Sequence, residues 1–278
     1  MIVYDVHVHW FDQCSWNPAA LEVLKEITNG KVSGMTDGMD TPKKFVDYLK
    51  KQGLSRAVML SEHTPMVDLS LSEKIADLCR SEKDFFIPFA SVNPNFDIDP
   101  DKKLEHYVTD LGMKGLKLLP SYDLYYPNEQ RMYKVYQVAE RLKIPVMFHI
   151  GSSKFKGTRM KYCDPIFLDD IAQDFPDLTI IMSHGGRGFE YEKAFFLSKH
   201  YKNIYIDIAG LPPKNLLGIF PRMESNIDKF MFGSDYPAGP KEIKNNIEDI
   251  LGLAMKDISK EKLLYKNAER VIDFGNAT

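Results

Sequence analysis

Eight short runs of β-branched, aliphatic and aromatic residues recur along the chain: Ile2–His9, Arg56–Ser61, Phe86–Val92, Gly115–Leu119, Val146–Ile150, Leu178–Ser183, Ile204–Ala209 and Phe230–Ser234. They are bounded by Gly, Pro, Asn or Asp and are apolar nearly throughout, as strands buried on both faces should be. Helical patterns fill the gaps. Thr41-Pro42 caps a helix over Lys43–Gln52 that Gly53 closes, and Asp164-Pro165 opens Ile166–Phe175, which Pro176 ends. Met132, Val135, Tyr136 and Ala139 repeat at helical spacing within Asn128–Leu142, and Leu263, Leu264 and Val271 do so within Ser259–Ile272. The runs follow one another at roughly 30 residues, the length of one βαβ unit. This rhythm predicts an α/β protein: a single (β/α)8 barrel, of the TIM type, rather than an open doubly wound sheet.

No linker, repeat or low-complexity tract divides the chain, so one domain over residues 1–278 is expected. The first interval alone is too long, by about 25 residues beyond one such unit. The excess, residues 10–40, contains Trp10, Phe11 and Trp16, then Gly30, Gly34 and Gly38. A loop after a barrel strand lies on the active-site face, so this excursion reads either as an apolar lid over the mouth or as a packing insertion.

Composition narrows the class. Apolar residues make up 44% and charged residues 27%, which excludes a disordered chain. Lys and Arg number 36 against 39 Asp and Glu, with no strongly basic run, so neither nucleic acid nor an anionic membrane is an expected partner. No stretch approaches the roughly 18 apolar residues that span a bilayer. The chain enters its first strand almost at once, which predicts no signal peptide and a cytoplasmic protein. Cys14, Cys79 and Cys163 are too far apart for a disulfide framework or a Cys-x-x-Cys zinc site and read as reduced thiols.

Candidate chemistry collects where strands end. Asp5-Val6-His7-Val8-His9 closes the first run, and strict alternation would put Asp5, His7 and His9 on one face and both valines on the other. Two histidines so spaced can share one metal ion, although His-x-His taken alone is better explained as a merely structural pair. His149 ends the fifth run, His184 the sixth and Asp235 the eighth, where barrel enzymes carry their functional groups. His106 and His200 lie in polar helical segments and read as solvated, while His63, next to Glu62, stays ambiguous. Lys117 ends the fourth run and Arg187 follows His184-Gly185-Gly186; either could grip an anion, or pair with a nearby carboxylate. Lys154, Lys156 and Arg159 read as solvated loop residues. Tyr122, Tyr125 and Tyr126 could wall a pocket for a planar or cyclic substrate, or simply pack.

Together, the DxHxH of Asp5–His9, the lone histidine of Phe148-His149-Ile150-Gly151, Ser183-His184-Gly185-Gly186 and Gly233-Ser234-Asp235-Tyr236-Pro237 resemble the amidohydrolase superfamily, most closely its amidohydrolase-related branch. Lys266-Asn267-Ala268-Glu269-Arg270 is similar to the closing helix of that branch. The resemblance implies a (β/α)8 barrel in which His7, His9, His149 and Asp235 bind one divalent metal and His184 stays close as a catalytic residue. Zinc suits such a nitrogen–oxygen set, with manganese, iron or cobalt able to occupy it. Asp235 would exchange a proton with a metal-activated water, and His184 would polarise the substrate carbonyl or stabilise an oxyanion, unless it is a fifth ligand or orients Asp235. Other branches carry a carboxylated lysine near Lys117; here a mononuclear site is expected, with Lys117, Arg187 and Tyr122 contacting substrate.

The function expected is hydrolysis of an ester, lactone or amide bond in a small anionic molecule, with non-oxidative decarboxylation of an aromatic or muconate-like acid as the alternative. A barrel reduced to a binding scaffold would not require so complete a ligand set. A metal-dependent DNase of the TatD kind would be expected to place a glutamate where this chain has Lys117. The sequence leaves room for a homo-oligomer.

Overall fold

A computed structural model describes residues 1–10, 16–28, 30, 41–67, 71–239 and 241–272. Eight parallel strands lie side by side in chain order: β1 (Tyr4–His9), β2 (Arg56–Leu60), β3 (Phe86–Ser91), β4 (Gly115–Leu118), β5 (Val146–Gly151), β6 (Ile180–Arg187), β7 (Ile204–Asp207) and β8 (Phe230–Met231). Helices alternate with them, so the fold is the expected (β/α)8 barrel. The predicted helices form at Pro42–Lys51, Gln130–Arg141 and Phe167–Asp174. Thr41 caps the first of these by accepting the Lys44 N–H.

Side chains divide into two layers. Val58, Leu60, Ile87, Phe89, Met147, Ile181 and Met231 fill the barrel, and their alternates, such as Ala57, Met59, Phe86 and Phe148, pack outward against the helices. Ala268 and Ile272 plug the end of the barrel where the strands begin. The final helix is not regular throughout, because Lys262–Lys266 form a π-helical turn.

The cylinder closes between β8 and β1. Val6 N–H donates to Phe232 O (2.9 Å), Asp235 N–H to His7 O (3.0 Å) and His9 N–H to Tyr236 O (2.8 Å). Phe232 N–H turns to the Leu263 carbonyl of the π turn (2.9 Å). The last strand is therefore shorter than the pattern Phe230–Ser234 predicts: past Met231 the chain leaves β7 and follows β1 and the final helix instead.

β1 also departs from alternation. Asp5 pairs with Ala57 but Val8 with Met59, so one extra residue bulges between them. Val8 packs outward as expected, whereas Val6 joins the interior layer beneath His7. Asp5 lies off the histidine face, and its Oδ1 accepts the N–H groups of His7 and Ser234, both at 3.0 Å, one on each side of the seam.

Of the long excursion, residues 11–15, 29 and 31–40 lie outside the described residues, as does Cys14. The described part contains Trp16, bridged to Val67, and the helix Pro18–Ile27 capped by Asn17. Cys79 and Cys163 are buried free thiols. No helix among the described residues is long and apolar enough to cross a membrane.

Gly115 faces the Phe89 ring so closely that an added Cβ would overlap it. Gly115→Ala should therefore destabilise the barrel by about 1–3 kcal/mol, read as a lower urea midpoint. An unchanged midpoint would show that the ring does not fill this space.

Candidate metal centre

The strand ends that meet at the seam bring His7, His9 and Asp235 together: one ligand atom from each lies within 4.8 Å of the other two. Asp235 Oδ1 is 3.4 Å from His7 Nε2 and 3.9 Å from His9 Nε2. Asp235 and His184 both hold left-handed backbone, φ 62° and 65°, which is uncommon outside glycine. For His184 the cause is visible in the ladder. His149 pairs with Ser183 and Gly151 with Arg187, so residues 184–186 bulge from β6 and aim His184 across the mouth.

Carboxylates stand behind both imidazoles of the trio. His7 Nδ1 is 2.8 Å from Asp207 Oδ2, at the end of β7, and His9 Nδ1 is 3.3 Å from Glu62 Oε1, just past β2. Both carboxylates escaped the sequence reading. Glu62 follows an apolar run directly, so the same positional signal could have found it, whereas Asp207 sits inside the run Ile204–Ala209 and is marked only as its one charged residue.

Proton accounting tests whether the residues suit a metal. A carboxylate at Nδ1 leaves Nε2 as a lone pair, and the lone pairs of His7 and His9 face another acceptor, Asp235 Oδ1. A cation between them would satisfy all three. Lys117 Nζ comes within 3.5 Å of His7 Nε2 but is held by Ser183 Oγ at 3.0 Å. Burial, aided by the Lys117 ammonium, keeps His7 well below the usual histidine range and takes His9 to about 3. Both rings are thus neutral, as ligands must be. Two neutral imidazoles and a carboxylate fit a divalent ion.

His149 stands beside this trio rather than within it. Its Nε2 faces Gly151 O and its Nδ1 faces His184 Nε2, both at 3.1 Å. His184 Nδ1 in turn donates to Ala209 O at 2.8 Å. Three such contacts need three N–H groups on two rings, one more proton than two neutral imidazoles carry. Burial opposes that proton, depressing both rings well below their usual range. When neutral, His184 offers a lone pair at Nε2, and it can donate there only when the pair holds the extra proton.

Burial lifts Asp235 to about 6, with Arg187 and Lys117 pulling it back down. Burial also lifts Glu62 to about 7 and lowers Lys117 to about 8. Arg187 is anchored to Ser152 O (Nε 3.2 Å, Nη2 2.8 Å) and sends Nη1 to within 3.6 Å of Asp235 Oδ2. Gly210 leaves room for this contact, because a Cβ there would strike the guanidinium.

Above the trio opens a cavity of about 300 Å3 lined by His149, His184, Lys117, Arg187, Tyr122 and Glu62. Trp16, Leu24 and Ile27 of the excursion form part of its wall. Trp16 approaches Phe155 (6.2 Å between centroids), Phe155 approaches Tyr122 (6.1 Å), and Tyr122 meets His149 edge-on (5.0 Å). Lys154 lines the cavity although its loop is exposed; Lys156 and Arg159 are exposed and do not. Tyr125 is buried in the outer core and Tyr126 packs on Tyr162 and Phe167, so only Tyr122 of the three tyrosines reaches the cavity. His63 is buried against Asp97 (3.1 Å) and also lies off it.

A family model described as amidohydrolase matches residues 4–274. Among solved structures, an uncharacterised TIM-barrel protein from Bordetella bronchiseptica is similar at TM-score 0.80 and 19% identity, covering 98% of each chain. A 2,6-dihydroxybenzoate decarboxylase from Rhizobium is similar at TM-score 0.70 and 15% identity, covering 97% of each. A probable 2-pyrone-4,6-dicarboxylic acid hydrolase from Acinetobacter baumannii is similar at TM-score 0.67 and 15% identity, covering 98% of this chain and 99% of that one. At such identities these likenesses show the fold.

Two outcomes are expected. Purified protein should carry about one equivalent of divalent metal; His7→Ala should lose it, whereas His184→Ala should keep it and lose turnover about 100-fold. Elemental analysis checks this, and equal metal loss in both variants would make His184 a ligand. Near Glu62, Asp123 is buried without a well-formed hydrogen bond to either carboxylate oxygen. Burial and the carboxylates of Glu62 and Asp97 raise its pKa well above the usual range, only partly relieved by Asn93. A raised folded-state pKa means that its contribution holds below the unfolded value near 3.9 and is lost as pH climbs through the folded one. Asp123→Asn should therefore raise Tm at neutral and alkaline pH and leave it nearly unchanged in acid. Equal Tm values at alkaline pH would contradict an uncompensated buried carboxylate.

Proposed function

This chain belongs to the amidohydrolase family, and on that premise we propose that it is a metal-dependent hydrolase cleaving an ester, lactone or amide bond of a small carboxylated molecule. The observation that carries the reading is the aim of Asp235: Oδ1 faces the two imidazole lone pairs and Oδ2 faces the cavity and Arg187. A divalent ion held by His7, His9 and Asp235, zinc by donor chemistry, supplies Lewis acidity and lowers the pKa of a bound water. His149 is available as a fourth ligand once it gives up Gly151 O.

The chain's own residues then do the following. Asp235, raised to about 6, takes a proton and returns it at little cost, and Arg187 steadies its second oxygen. His184 accepts at Nε2 from His149 Nδ1–H while both rings are neutral, and donates there to a substrate oxygen that gathers negative charge once it takes up a further proton. Tyr122, Phe155 and Trp16 offer an aromatic wall to a planar or cyclic substrate and keep water away from it. Charge supports an anionic substrate. Asp207, Asp235 and Glu62 face Lys117 and Arg187, leaving one negative charge in excess when all are ionised, and a divalent ion turns that excess positive.

Decarboxylation is the second reading. It is favoured by the same Asp235 carboxyl, which, raised to about 6, can when protonated hand its proton to the substrate carbon that CO2 leaves. A panel of carboxylated lactones, cyclic amides and hydroxybenzoate-type acids, assayed for ring opening and for CO2, separates the two. Ring opening without gas is expected. Gas from an aromatic or muconate-like acid, with lactones and amides untouched, would establish the decarboxylase. Arg187→Met should raise KM for charged substrates about tenfold or more and also lower kcat, since Asp235 loses its support. Wild-type preference for neutral esters would remove the anion argument.

A further inference from the structure

Asp207 has two oxygens with different partners. Oδ1 accepts the Ala209 N–H at 2.6 Å, which leaves Oδ2 for His7 Nδ1 at 2.8 Å. The carboxylate is fully buried, with the Ser183 hydroxyl and the His184 N–H further stabilising its charge. The carboxylate cannot turn away from His7 without also leaving the Ala209 N–H unsatisfied. Glu62, by contrast, lies on the cavity wall, 3.3 Å from His9 Nδ1, and no backbone N–H is recorded on its other oxygen among the described residues.

We infer that Asp207 is a positioning residue that locks His7 in the Nδ1–H tautomer, so that its Nε2 lone pair is fixed toward Asp235, while Glu62 guides His9 in the same sense without locking it. A neutral imidazole left to itself prefers the proton on Nε2, which would block that nitrogen as a ligand. The lock therefore selects the minor tautomer before any metal arrives, and Lys117 Nζ, 3.5 Å from Nε2, favours the same state. The ordinary pattern of carboxylate support for a ligand histidine here has one rigid and one adaptable member. The inference rests on the metal reading of His7, His9 and Asp235.

Asparagine at 207 turns the geometry into a test. The Ala209 N–H should keep the amide oxygen, so the amide NH2 would face His7 Nδ1 and demand a lone pair there. Asp207→Asn should thus drive the His7 proton to Nε2. Glu62→Gln has no such anchor, so its amide can turn to present oxygen, and His9 should keep the proton on Nδ1. Two-bond proton–nitrogen correlation spectra of the full chain, 15N-labelled at histidine, read the tautomers directly in zinc-loaded and chelator-stripped samples. Expected are Nδ1–H on His7 in stripped wild type, Nε2–H in stripped Asp207→Asn, and a zinc affinity about 10–100-fold lower in that variant, with a smaller loss in Glu62→Gln. Nε2–H on His7 in stripped wild type, or Nδ1–H persisting in Asp207→Asn, would overturn the lock. Should Asp207→Asn not fold, the wild-type spectrum decides alone. Wild type that shows the locked tautomer yet takes up no zinc would overturn the metal reading and leave the lock standing.

Discussion

The hydrogen bonds that join the segment after β8 to β1 tie the fold to the site, because the same backbone groups carry both. Asp235 N–H reaches His7 O and His9 N–H reaches Tyr236 O, so the contacts that finish the cylinder also set the distance between two imidazoles and the carboxylate opposite. Asp5 reinforces this from outside the site by accepting an N–H from each side through one oxygen. Elsewhere, among the described residues, the barrel interior is apolar packing that carries no such polar bond. At the seam a shift in register would separate the ligands, because a slip of one residue sends each side chain to the other face.

Burial governs what these groups can do. Every imidazole of the centre is driven toward its neutral form, and every carboxylate toward protonation. The result is a set of imidazoles that stay neutral beside carboxyl groups lifted to about 6 or 7. The extra proton that His149 and His184 require belongs to the same economy of sites that are individually reluctant to charge.

Much of this was legible in the residues. Barrel class followed from eight evenly spaced apolar runs, and His7, His9, His149, His184 and Asp235 stood out because each polar residue follows an apolar run. What escaped was set by tertiary pairing. The bulge that sends Val6 inward depends on how β1 registers against β2, and the early end of β8 depends on a carbonyl freed thirty residues later in a π turn. Glu62 had the right position and Asp207 was the one charged residue of its run, but a carboxylate at a strand end announces nothing until the imidazole it serves comes from a distant strand. Of the three tyrosines after β4, a four-residue helix at Pro120–Asp123 and left-handed backbone at Leu124 decide which one faces the cavity, and neither is visible as a pattern.

The π turn has a consequence in time. Phe232 completes its bonding only through Leu263, and the segment that contains Leu263 also plugs the barrel with Ala268 and Ile272. A chain emerging from the ribosome presents the two histidines of β1 long before it presents the strand or the helix that hold their partner. Contacts between such distant segments form late, after the cost of closing so long a loop has been met. Until then the nascent chain has two imidazoles but no enclosed site, so the trio of His7, His9 and Asp235 comes into being only with the completed barrel.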